Sequence, residues 1–321
     1  MSIRRPAVAG SFYPSDPQEL RGLIKKFLSV VELPKIQGEV RALIVPHAGL
    51  IYSGQTAAYG YEELRKVRNM RKMRPPASAM LKALRAGKLQ NFILLGPSHR
   101  VGFEGVAQDT HEWWGTPLGK AKCYQLPATR LRQGFDGQAR FKLQGKEKEL
   151  IVNDSRPHLQ EHSLEVQLPF LQVLAKDTPE VTHSGSSGVE ENKKSFGFTI
   201  TPLLTGFDVD YEKLGELLAG NWRLGTGDCL IISSDLSHYH PQDIAEKIDK
   251  KTIQAILDLD TKTLEKEECE ACGKAGILTA VYLAKKLGWK PKLLHYETSG
   301  DVTADFSQVV GYVSIAFLSN A

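Results

Sequence analysis

At 321 residues, 41% of them hydrophobic and 24% charged, the chain has apolar content for one large α/β domain or two small ones. No stretch approaches the roughly 18 apolar residues of a membrane span. The N-terminus MSIRRPAVAGSFYP lacks the apolar region of a secretory signal, so a cytoplasmic location and no membrane partner are expected. Four scattered cysteines exclude a disulfide framework, and the net charge of +4 conceals a basic block: residues 65–88 hold nine Lys and Arg and no acid.

Taken in chain order, the first element is a helix at Asp16-Pro17. Asp16 suits the cap, Pro17 the first helical position, and Leu20, Ile24 and Leu28 recur every four residues. A strand over Val40–Val45 precedes a helix starting near Ser53. The basic stretch, residues 65–90, reads as an insertion, because Pro75-Pro76 interrupts any continuous helix. A solvated surface accounts for its charge better than nucleic-acid binding does. Strands follow over Asn91–Leu95 and Gly105–Gln108, then a helix near Ser163. The polar, Gly/Ser-rich residues 176–195 read as a flexible loop. Further strands are expected at Gly197–Leu203, Cys229–Ser233, Pro291–Tyr296 and Val309–Phe317, with helices near Asp210, Pro241 and Gly273. The alternation predicts an α/β fold, one domain over residues 1–321, with a central parallel or mixed sheet flanked by helices.

Three of these strands end in a compact polar sequence carrying histidine: PHAG with His47, GPSH with His99, and SSDLSHYH with Asp235 and His238. Ligands of open α/β sheets sit beyond the carboxyl ends of the strands, so parallel neighbours would bring these residues to one edge. A fourth candidate, QEHSLEVQLPFL, carries His162 and, three positions on, Glu165. The plainer reading makes Glu161, Ser163 and Glu165 first-turn residues that complement a helix dipole. In CEACGKAGI, Cys272 falls at a helix N-terminus, which favours a thiolate, although a redox dithiol or a small buried helix-start cysteine fits the same sequence. Two imidazoles and one thiolate form a coherent ligand set for a transition metal. Asp301, in Ser299-Gly300-Asp301, either reaches the site as an outer partner or simply builds the turn, for which Gly-Asp is well suited. A hydrolase built on Ser234 or Ser237 with His238 and Asp235 is disfavoured, since no G-x-S-x-G elbow exists.

Together RRPAVAGSFYP (4–14), PHAG to YSG (46–54), GPSH (96–99), EHSLEVQLPF (161–170), SSDLSHY (233–239), Cys272-Gly273, and TSGD (298–301) to VVGY (309–312) resemble the Memo family, whose microbial members are also called AmmeMemoRadiSam system protein B. The resemblance implies a fold like that of class III extradiol dioxygenases. It implies metal ligation by His47, His99 and Cys272, with Asp235 and His238 close by and His162 as a further pocket histidine. Gly276 stands where the family pattern has Pro. Iron or copper, with zinc as another candidate, is the implied metal. The resemblance identifies no reaction; the clustered strand-end ligands make the first reading a metal-dependent, dioxygenase-like oxidoreductase acting on an unknown small substrate. In it Asp235 orients the ligands and His238 or His162 moves protons. The alternative is a non-catalytic binding or adaptor module using the same pocket for a peptide or protein partner. AMMECR-like and radical-SAM proteins are the partners the family name suggests.

Overall fold

The runs ALIV, FILL, LIIS and TITPLL are apolar at nearly every position, as strands covered on both faces must be. In the computed structural model, which describes residues 2–33, 36–72, 90–126, 150–176, 198–221 and 228–319, they form the middle of one twelve-stranded mixed sheet. The strands are β1 (Ile3–Arg4), β2 (Glu39–Val45), β3 (Gln90–Pro97), β4 (Val106–Gln108), β5 (Trp113–Thr116), β6 (Gly119–Cys123), β7 (Ile151–Asn153), β8 (Phe198–Thr205), β9 (Cys229–Ser233), β10 (His238–His240), β11 (Lys290–Thr298) and β12 (Val309–Ser319). The main path runs β1-β5-β6-β8-β3-β9-β2-β12-β10, with β11 on β12 and β4 on β7 and β8.

Neighbours β8, β3, β9 and β2 are parallel, with Val45 opposite Ser233 and Leu95 opposite Ile232. The carboxyl ends of β2, β3 and β9 therefore share one edge, which is what a common site for the strand-end histidines requires. β12 runs antiparallel to β2.

Alternation along each strand divides the core in two. Leu43, Val45, Phe92, Leu94 and Ile231 face helices α1 (Pro17–Ser29), α2 (Leu50–Lys72) and α3 (Leu168–Lys176), whose Leu20, Ile24, Tyr61 and Phe170 join the same cluster. Ala42, Ile44, Ile93, Leu95 and Ile232 face α4 (Tyr211–Asn221), α5 (Gln242–Leu257) and α7 (Lys274–Leu287), which bring Leu214, Ile256 and Val281. The short α6 (Thr261–Leu264) and α8 (Ser299–Thr303) complete the described helices.

Asp16 caps α1 as its sequence predicts, its carboxylate accepting the Gln18 and Glu19 N–H groups. The helix expected near Ser163 differs. Residues 165–167 form a 3₁₀ turn, and the α-helix begins only at Leu168. Pro169 accounts for this, because its missing N–H and fixed φ place it in a first turn. Of the basic stretch, Arg65–Lys72 continue α2, while residues 73–89, including Pro75-Pro76, lie outside the described residues. The loop expected at 176–195 also lies outside them, apart from Lys176 at the end of α3. Among the described residues no helix is long and apolar enough to cross a membrane.

Candidate metal centre

Three histidines meet at the shared strand edge. One ring nitrogen from each of His47, His99 and His162 lies within 4.8 Å of the others. The His99 and His162 rings stack with centroids 4.9 Å apart, and His47 meets them edge-on at 5.2 and 5.5 Å. His47 is buried, His162 half-buried and His99 exposed, so the cluster opens to solvent on the His99 side.

Buried acceptors fix which nitrogens face inward. Ser233 Oγ donates its one hydrogen to the Ser163 carbonyl (2.6 Å) and accepts from Gln167 Nε2 (2.7 Å). Toward His47 Nδ1, at 2.9 Å, it is therefore an acceptor. The proton of His47 sits on Nδ1, leaving the Nε2 lone pair free. Burial, opposed by Asp235, lowers the His47 pKa to about 4, so the ring is neutral at pH 7. Glu161 acts likewise on His99: Oε1 accepts Nδ1–H (3.0 Å) and Oε2 the backbone N–H (2.5 Å). The same Oε1 takes the His162 and Ser163 N–H groups at 2.9 and 3.0 Å. His162 Nδ1 lies 3.2 Å from that oxygen, but without hydrogen-bond geometry. Burial alone would raise the Glu161 carboxyl; the bonds from His162, His99 and Ser163 outweigh it and hold the group well below the usual carboxylate range. Imidazoles whose outer N–H groups are held this way present oriented, basic nitrogens, the arrangement expected around a bound metal.

The sequence model of the Memo-like protein family matches residues 4–316. The chain belongs to the Memo family. It is similar to a MEMO1 family protein of Thermoplasma volcanium, 36% identical over 319 residues that cover 98% of this chain and 97% of that protein. A relative from Sulfolobus acidocaldarius is 35% identical (98% of this chain, 99% of that protein), and one from Aquifex aeolicus 33% (99% and 100%). The single α/β domain with its large mixed sheet is the dioxygenase-like Memo fold.

Against the ligand set that the Memo resemblance implies, the structure brings His47 and His99 together and sets His162 beside them in the same cluster. Cys272 is adjacent but not one of the three mutually close donors. Its Sγ is 3.4 Å from His47 Nε2. A sulfur and a nitrogen bound tetrahedrally to one zinc-like ion stand roughly 3.5 Å apart, so this pair has the spacing of two ligands. Asp235 joins the two residues: Oδ1 accepts the His47 N–H at 2.7 Å, and its own N–H points at the sulfur at 3.2 Å. Gly273 is needed there, since a Cβ would stand 2.7 Å from the Ser233 carbonyl oxygen. The helix does not make Cys272 a ready thiolate: burial and the Asp235 carboxylate push the thiol up, and a bound cation is what would deprotonate it.

His238, in β10 opposite Val310, stays outside the three-histidine cluster. Ser234 Oγ donates to the Asp235 carbonyl (2.8 Å) rather than to an imidazole, which gives no support to a serine nucleophile. Asp301 builds the turn, closing a capping box with Thr298. The sequence reading missed Glu161 and Ser233, which hold the imidazoles, and Gln167, which holds Ser233. Glu165, considered for the pocket, pairs instead with Arg4.

Three mutually close ring nitrogens fit a transition metal, the outer N–H groups of His47 and His99 are already held, and Cys272 stands beside His47 as a further donor. Replacing Glu161 with Gln is expected to weaken cobalt(II) binding about 10–100-fold, the usual cost of losing an outer partner. Competition with a chromophoric chelator measures it, and unchanged affinity would separate Glu161 from the metal site.

Proposed function

We propose that this Memo protein holds iron or copper on His47, His99 and His162, with Cys272 as a fourth donor, and is a metal-dependent oxidoreductase acting on a small substrate. The supporting observation is the convergence of three imidazoles with the Nδ1–H groups of His47 and His99 on buried acceptors. Bound iron or copper supplies open coordination positions and one-electron exchange with O₂. Around it, Asp235 holds the His47 backbone and the Cys272 sulfur in register. Ser233 and Glu161 keep protons off the inward nitrogens, and the exposed side of His99 admits the substrate. His238, half-buried four residues after Ser234, is the group assigned to carry a proton.

Metal analysis of the purified protein, paired with oxygen uptake, tests this reading. Iron or copper near one equivalent is expected, falling to background in a His47→Ala, His99→Ala double variant. Zinc alone, or no metal, refutes the redox assignment. A second reading, a binding module without turnover, draws on Tyr239. This residue is 71% exposed, beside His238, and held at φ +62°, a conformation costly for a bulky side chain. AMMECR-like and radical-SAM proteins are its proposed partners. Their retention in a pulldown by wild type but not by Tyr239→Ala, with no oxygen consumed, would favour it.

A further inference from the structure

The family-typical N-terminal sequence RRPAVAGSFYP has no part in the ligand set, yet it is bound into the walls of the site. The Arg4 side chain is fully buried, its guanidinium 4.1 Å from the Trp114 ring centre. Its donors go to three points on one short segment. Nε donates to the His158 carbonyl (2.7 Å), Nη2 to the Glu161 carbonyl (2.6 Å), and Nη1 to Glu165 Oε2 (2.7 Å). Residues 158–165 include Glu161 and His162 and contain no α-helix to stiffen them. Glu165 in turn accepts Ala7 N–H, Val8 N–H and the Tyr13 hydroxyl. Between those contacts, the Phe12 ring lies 4.5 Å from that of His162, and the Phe12 carbonyl accepts Leu50 N–H (2.7 Å), where α2 starts three residues after His47.

We infer that Arg4 is a positioning residue for the metal site, setting the Glu161–His162 segment so that His162 meets His47 and His99, with Phe12 bracing the His162 ring. The inference rests on the metal-binding reading above. A merely structural ion pair needs charge at residue 4 and nothing more. A positioning role needs the planar fork, because one ammonium group cannot reach three acceptors spread along residues 158–165. The two roles therefore separate in Arg4→Lys, which keeps Glu165 paired and the fold supported.

The test is cobalt(II) affinity by chelator competition for wild type, R4K and Phe12→Ala, with unfolding followed by circular dichroism on the same samples. R4K is expected to fold and to bind cobalt at least tenfold more weakly, with an altered d–d absorption reporting a changed coordination shell. F12A, which leaves the ion pair intact, is expected to shift affinity in the same direction by a smaller factor. Wild-type affinity and spectrum in folded R4K overturn the inference. Should R4K not fold, F12A decides alone, and wild-type binding in it overturns the bracing of His162 and with it the inference. Absence of cobalt binding by wild type is a different outcome: it refutes the metal-binding reading, and the inference falls with it.

Discussion

Replacing His162 with alanine is expected to cost more metal affinity than replacing Cys272, and more than the roughly 10–100-fold typical of an outer-shell partner. The argument is geometric. His162 contributes one of three nitrogens within 4.8 Å of one another, whereas Cys272 is paired at 3.4 Å with His47 alone. It is also chemical. A neutral imidazole binds without losing a proton, but the Cys272 thiol, pushed up by burial and by Asp235, must give up its proton on binding. Cys272→Ala should therefore retain most of the affinity for cobalt(II) and lose selectivity for soft ions such as copper(I), which thiolate favours. It should also flatten the rise of affinity with pH, since the wild type releases one more proton. Chelator competition at two pH values across the three proteins checks both statements. The reverse order, with Cys272→Ala the more damaging, would restore the His47, His99, Cys272 set that the family resemblance implies and leave His162 as a proton carrier.

That contrast shows where sequence reasoning is strong in this chain and where it stops. The central strands are legible because burial on both faces demands continuous apolar runs; Cys229–Ser233 is read to the residue, and Val40–Val45 to within one. The short strands Ile3–Arg4, Trp113–Thr116, Gly119–Cys123, Ile151–Asn153 and His238–His240 have two to five residues, too few for a period to register. In the site, His47 and His99 announce themselves by their place after parallel strands. Glu161 does not, because its work is done through bonds to His99, 62 positions away, together with its own neighbours. Ser233 reaches His47 across 186 positions and Ser163 across 70. One local signal was present. Pro169 argues against a helix starting at Ser163, and without that helix Glu161, Ser163 and Glu165 lose their role at its dipole and need other partners.

A histidine outside the cluster carries the second large effect. His158 is fully buried; its Nε2–H donates to the Ala107 carbonyl (3.1 Å), and its Nδ1 has no hydrogen-bond partner. Burial, reinforced by nearby Arg4 and opposed by Asp109, lowers its pKa to about 4. An unfolded chain carries this group near 6.5. Between those values the unfolded state takes up a proton that the folded state refuses, so the stabilisation is complete above about pH 6.5 and is lost as pH falls toward 4. Its size follows from the gap between the two pKa values, about 3 kcal/mol. His158→Asn keeps a donor for the Ala107 carbonyl and does not titrate. Urea unfolding of metal-free wild type and H158N at pH 7 and near pH 4 should therefore give stability differences that shift by about 3 kcal/mol in favour of the variant at the lower pH. Because both proteins share every carboxylate and every other histidine, their common acid sensitivity cancels in that difference. Parallel stability profiles would mean that His158 accepts a proton in the folded state. The segment between His158 and Glu165 would then have to open to solvent well before the protein unfolds, and the buried Arg4 contacts could not be holding it.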